Sequence, residues 1–518
     1  MMRLMRFLVL FLLCASWLAA AERRIPLSEL RDRIEGGWAG QMIGVSFGAP
    51  TEFRSLGKTI DGELPAWTPD KIRNSLNQDD LYVDMTFAQV LDDKGLNATT
   101  EDFGRMFRDS QYQLWHANLA ARRNLKRDIP ASLAGDPRYN AHSDDIDFQI
   151  EADFIGLMAP GLPRAATDIA WRAGRVMNYG DGIYGGIFVS CMYGAAFIEK
   201  DPHKVVEAGL ACLPQQSRYA KMIADTLAWH KANPKDWRAA WKQLDAKWDR
   251  QDPCPAGAAA AFNIDASLNG AYIALGLLYG DADWDKTIDI STRAGQDSDC
   301  NPSSAAGILG VMTGYRAIPE KWKGGIPAIK NEKFNFTNYT FKTIVDSTVK
   351  RAVALAKANG GRLEGETLVL RTQTPREAKL EQFHPGKVQG RYDTADSRWK
   401  FSGAWETVAT KRRDGDALQG RRATAKGAET TVTFTGTGAI LVGTYTNAGG
   451  KADVYLDGEF QRTVDGYHEG RGDRLGESIW HVFSLKPGQH TVRLVVRGEP
   501  FPGSSGSEVI LRDLIVFE

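Results

Sequence analysis

Gly295-Gln296-Asp297-Ser298-Asp299-Cys300-Asn301-Pro302 places two carboxylates one residue apart, directly before an alanine-rich apolar run that continues to Met312. The run reads as a helix capped by Asn301, with Pro302 at its first position, where the missing N–H has no partner to lose. In the turn ahead of such a helix, Asp297 and Asp299 can both point into one pocket, and hard divalent cations are held by oxygen clusters of that kind. Far upstream, Asp79-Asp80 stands before a second amphipathic run, Leu81 to Leu91. Acidic pairs at helix starts also serve as caps and dipole partners. Two of them on distant helices predict a site assembled by the fold.

Working outward, residues 22–361 read as one all-α domain. Gly36, Gly40, Gly44 and Gly48 recur every four residues and line one face of a helix against which a neighbour can pack closely. That helix runs into a turn carrying Glu52. The stretch from Asp144 to Phe154 is dense in acids interleaved with apolar residues, which predicts at least half burial; Asp145, Asp147 and Glu151 then need partners. Asn178-Tyr179-Gly180-Asp181-Gly182-Ile183-Tyr184 is a glycine-rich turn before an apolar helix. No strand precedes it and no lysine follows, so it is neither a P-loop nor a dinucleotide fingerprint. Asp181 and Tyr184 suit a sugar hydroxyl better than a phosphate.

After Gly360-Gly361 the period changes from helical to alternating. Runs such as Thr431–Phe434, Ala452–Leu456 and Thr491–Val496, separated by turn signals including Asp457-Gly458, predict a β-sandwich over 399–518. Residues 362–398, rich in charge and carrying Pro375 and Pro385, read as a linker. Trp405, Tyr445, Tyr467 and Trp480 are the sandwich aromatics that could stack on sugar rings.

The chain has 518 residues, with 64 basic and 64 acidic side chains, so no charge excess argues for nucleic acid or an anionic membrane. Arg3 and Arg6, the apolar run Phe7–Leu18 and Ala19-Ala20-Ala21 form a secretory signal peptide, residues 1–21, too short to span a bilayer. Its removal leaves no membrane anchor and predicts a secreted or periplasmic protein. Four cysteines remain, Cys191, Cys212, Cys254 and Cys300. Buried thiols are the expectation, and Cys212–Cys254 is the disulfide to test.

These blocks, in this order, resemble the ADP-ribosylglycohydrolase family over residues 30–360. Gly40 through Glu52 is similar to the family's opening helix and its terminal Glu. Gln78-Asp79-Asp80 stands where the family has Thr-Asp-Asp, Gly180-Asp181-Gly182 where it has Gly-Asn-Gly, and Gly295 through Cys300 where it has Gly-x-Asp-Thr-Asp-Thr. The resemblance implies an all-helical fold binding one or two divalent cations (Mg²⁺, Mn²⁺ or Ca²⁺), with Gln78, Asp79, Asp80, Asp297 and Asp299 as ligands. It also implies Glu52 and Asp80 as catalytic groups, and on a glycosidase reading Asp145, Asp147, Glu151, Asn178, Asp181 and Tyr184 would line the sugar pocket. Gln78 and Cys300 replace threonines, and Asp181 puts a negative charge where the family holds ribose and diphosphate. Together with the export signal, this favours a metal-dependent glycoside hydrolase acting on a carbohydrate. Release of ADP-ribose is the alternative, and non-catalytic glycan binding a third reading.

Overall fold

A computed structural model describes residues 22–248, 252–411 and 417–518. The expected signal peptide lies outside these residues. Helices dominate up to Ala358, and strands follow. Among the described residues no helix is long and apolar enough to cross a membrane.

The body is organised around two helices, Leu27–Gly48 and Cys300–Thr313, which lie backbone against backbone. A Cβ placed on Gly36, Gly40, Gly44 or Gly48 would sit 2.1 Å from the carbonyl oxygen of Gly310, Ala306, Pro302 or Ser298, respectively. The glycine period thus permits an approach that no other residue allows. It also delivers the end of the first helix, and hence Glu52, to the turn that starts the second. That turn differs from expectation in one detail: the helix begins at Cys300 with Asp299 at the cap position, so Pro302 is its third residue.

The C-terminal strands are β4 (Val388–Asp393), β5 (Trp399–Ser402), β6 (Glu406–Lys411), β7 (Ala417–Ala423), β8 (Glu429–Gly436), β9 (Gly438–Tyr445), β10 (Gly450–Leu456), β11 (Glu459–Asp465), β12 (Arg474–Val482), β13 (Gly488–Pro500) and β14 (Val509–Phe517). They form two antiparallel sheets, ordered β11-β10-β13-β8-β5 and β12-β9-β14-β7-β6, with β4 also paired to β14. Alternating side chains of β8, β10 and β13 (Val432, Phe434, Val454, Leu494) fill the space between them. β9 is buried along its whole length. Leu441 faces the sandwich core, whereas Ile440 and Val442 join Ile515 and Phe517 of β14 against Ala141 and Ala258 of the helical body.

Residues 362–398 are not a plain linker. β2 (Arg362–Glu364) and β3 (Thr367–Arg371) pair with β1 (Glu22–Pro26) in a small sheet, and β4 belongs to the sandwich. These strands are too short for alternation to reveal them. Residues 372–387 have no regular structure yet are fastened to the helices. Gln373 Oε1 accepts from the Arg164 and Ala165 amides (3.0 and 3.1 Å), the Ala378 amide donates to Cys212 O (2.9 Å), and Glu381 pairs with Arg175 (2.7 Å).

The disulfide is Cys191–Cys212, not Cys212–Cys254. It ties the Asp181–Ala196 helix to the residues after Pro202–Leu210, while Cys254 is a buried thiol beside Phe262 and Ile146. Sequence spacing carries no information about which buried cysteines meet.

Candidate active site

The two acidic turns converge. Ligand-capable atoms of Asp80, Asp299 and Cys300 lie within 4.8 Å of one another, as do those of Glu52, Asp297 and Asp299. Asp79 and Asp80 open the helix Asp79–Lys94, with Gln78 half-buried at its cap position. The Glu52 turn is stitched to the Asp297 turn: Thr51 Oγ1 and Ser298 Oγ are 2.8 Å apart, the Phe53 amide donates to Gln296 O (3.0 Å), and the Gln296 amide donates to Ser55 O (3.0 Å). Phe53, His116, Ala259 and Gln296 adopt positive φ angles (50°, 44°, 61° and 52°), a strain that recurs around functional sites.

Asp80, Asp297 and Asp299 are 1, 2 and 3 % exposed, whereas Glu52 is exposed. Burial, then Asp79 and Asp299, push the Asp80 carboxyl well above its ordinary range. Burial, then Asp299 and Glu52, do the same for Asp297, and burial raises Asp299 to about 6. Among the described residues no Lys or Arg pairs with these three. Asp80 Oδ1 and Asp297 Oδ1 are buried without a hydrogen-bond partner. Orphaned carboxylate oxygens converging from two helices fit a hard divalent cation. Cys300 Sγ donates instead to Asp80 Oδ2 (3.3 Å).

The remaining predicted residues divide. The whole stretch from Asp144 to Phe154 is buried, broken into short helices at Asp147–Ile150 and Asp153–Leu157. Asp147 caps the His116–Leu125 helix, accepting from the Ala117 and Asn118 amides (3.2 and 3.0 Å), and burial raises it to about 7. Glu151 accepts from Asn118 Nδ2 and is raised by burial, then by Asp147. Asp145 bonds His142 Nδ1 (2.7 Å) in a neighbouring group with His116, Asp252 and Cys254.

Asn178 and Tyr184 brace the fold with their polar atoms. All of the Asn178 amide is used, by Ser143 O, Asp145 O and the Phe148 amide. The Tyr184 hydroxyl is fully buried and holds Lys379 O (2.8 Å). Asp181 is the first residue of its helix, not mid-turn, and shares a small recess with Asp144, Arg218 and Glu381. In the sandwich, Trp480 is buried in the core and Tyr445 lies under the Arg123 guanidinium (3.7 Å), so neither offers a face to sugar. Sequence spacing alone gives His116 no role, while His142 stands three residues before its partner Asp145.

One consequence is measurable. Asp147 and Asp299 bind their protons near pH 7 and 6 in the folded chain but near 4 when unfolded. Between those values the folded state carries more protons, so stability falls as pH rises. In chelator, the melting temperature should be higher at pH 5 than at pH 8. Millimolar Mg²⁺ or Mn²⁺ should raise it at pH 8; calorimetry reads both.

An all-helical body with an acidic, cation-type centre, extended by a β-sandwich, defines the class. The chain belongs to the ADP-ribosylglycohydrolase family, whose model matches residues 26–358. It is thus a member of a family of hydrolases acting on glycosyl bonds, typically dependent on divalent metals. No curated protein sequence matches the chain. Among solved structures, an ADP-ribosylglycohydrolase-related protein complex is 17% identical, covering 63% of this chain and 98% of that one (TM-score 0.37). The CBM36-1 domain of a multidomain xylanase from the hindgut metagenome of Trinervitermes trinervoides is 14% identical over 24% of this chain and 94% of its own (TM-score 0.17). A two-domain esterase active on acetylated mannans is 14% identical over 34% and 46% (TM-score 0.20).

Proposed function

We propose that the protein is an exported, divalent-cation-dependent glycoside hydrolase that cleaves a glycosidic bond in a glycan. The observation that carries this reading is Glu52, the exposed acid, held against the buried pair Asp297 and Asp299. Asp79, Asp80, Asp297 and Asp299 would hold the cation, with Gln78 offering a carbonyl oxygen. When bound, the cation supplies positive charge that chelates neighbouring sugar hydroxyls and polarises them.

Glu52 is placed to move the proton. As an acid it protonates the leaving oxygen while the C–O bond breaks; as a base it takes a proton from the water whose oxygen joins the anomeric carbon. Asp181 stands where the family has Asn, which adds a negative charge to the loop and favours a neutral or hydroxyl-rich ligand over a diphosphate. The Cys191–Cys212 disulfide supports an oxidising compartment, consistent with export.

The test is a screen of the full-length protein against p-nitrophenyl glycosides, natural oligosaccharides and ADP-ribosylated arginine or serine peptides, with and without EDTA. Reducing sugar released only without EDTA is the expected result. Free ADP-ribose with no glycan cleavage would overturn the reading.

A further inference from the structure

A cavity of about 370 Å³ is lined by residues of both the helical body and the sandwich. Its floor is Trp115, His116 and His142, and its opposite wall comes from the sandwich, including Arg474, Lys411 and Glu477. An aromatic path joins it to the site: the His116 ring stacks on Phe262 (5.5 Å), and Phe262 meets Phe53 (4.9 Å), the neighbour of Glu52. Trp115 is 41 % exposed, one of few large apolar side chains left in water. A flat exposed ring in a cleft is a platform for a sugar face.

Arg391, Lys411, Arg474 and Arg512 line this cavity with two carboxylates, Asp473 and Glu477, so basic groups are in excess. Arg391 pairs with Asp513 (3.0 Å) and Glu477 with Arg123 (3.2 Å). Arg474 is different. Its guanidinium hydrogen-bonds neutral groups, His468 Nε2 (3.4 Å) and, with the amide turned to accept, Gln113 (2.8 Å), and feels the Glu477 carboxylate at longer range. Among the described residues no carboxylate pairs with it. His468, its burial and the neighbouring arginines holding it down to about 4, is a neutral neighbour at pH 7. A half-buried guanidinium in no direct ion pair, whose neighbouring carboxylate Glu477 is already held by Arg123, can take an anion from the cavity.

We propose that this cavity is a subsite for an acidic sugar, with Arg474 pairing the carboxylate of a uronate or a sulfate ester and Trp115 stacking on the pyranose ring. The inference rests on the glycosidase reading and adds its substrate class. Arg474 lies beyond residues 26–358, so this selectivity comes from the sandwich and not from the family's helical body.

Isothermal titration on the full-length Glu52→Gln protein tests it, using oligogalacturonides and their carboxyl-reduced counterparts, and sulfated galactan oligosaccharides with their desulfated forms. At least one charged ligand should bind about tenfold more tightly than its neutral partner, by an amount that shrinks in added salt. The pair showing the gap identifies the anion. Arg474→Gln should erase the gap while leaving the neutral ligand within twofold, Arg474→Lys should restore part of it, and Trp115→Ala should weaken both forms. Equal affinity for charged and neutral ligands, or a gap that survives Arg474→Gln, overturns the proposal. Charge preference in a wild-type protein that releases no reducing sugar would sink the hydrolase reading and leave the subsite standing. Cleavage confined to neutral glycans would do the reverse.

Discussion

Asp297→Asn should lower glycan turnover on the order of 10³-fold, the loss expected when one preorganised charge at a reacting centre is removed. The same change should leave the fold intact and make the chelated protein more heat-stable. Asp297 is 2 % exposed, crowded by Asp299 and Glu52, with one oxygen unpartnered. A neutral amide relieves that repulsion and the cost of burying charge. The cation-induced rise in melting temperature should disappear together with the activity. Full activity of Asp297→Asn in EDTA would exclude the mechanism; a destabilised chelated variant would show instead that the carboxylate has a purely structural role.

Gly44→Val should destabilise the protein by about 3 kcal/mol or more, at the upper end for overpacking, because its Cβ would fall 2.1 Å from the Pro302 carbonyl oxygen. Neither backbone can yield without parting the two central helices. Activity should fall further than stability alone accounts for, since the helix pair sets the distance between Glu52 and the Asp297 turn. Gly62→Val is the control: a Cβ there meets nothing within 4 Å, and its effect should stay within about 0.5 kcal/mol. Denaturant melts of the two variants read the difference directly.

Much of this was legible before the fold was seen. The four-residue glycine period marked the close helix pair, and two acidic helix starts marked the centre, because both depend on local spacing. The braces were not legible. Asn178 and Tyr184 look like ligand groups in sequence, yet their polar atoms are consumed by backbone from Ser143 and Lys379, a matter of tertiary placement alone. Cys212 bonds Cys191 rather than Cys254 for the same reason: which cysteines meet is set by tertiary placement. One signal in the sequence does point to the interface: Ala439 to Val442 and Leu514 to Phe517 are continuous apolar runs, not alternating ones. Such runs mean burial on both faces, and here the second face is the helical body.

That doubly covered sheet, with the fastened segment 372–387, denies the sandwich the freedom of an appended binding module. A module on a slack tether can grip a polymer at one place while the enzyme works at another, raising local concentration without altering selectivity. Here any grip and cut would fall on adjoining units of one chain. Preference for length and substitution pattern would then be settled at the mouth itself, and excising residues 399–518 would uncover Ala141 and Ala258 instead of liberating a leaner enzyme.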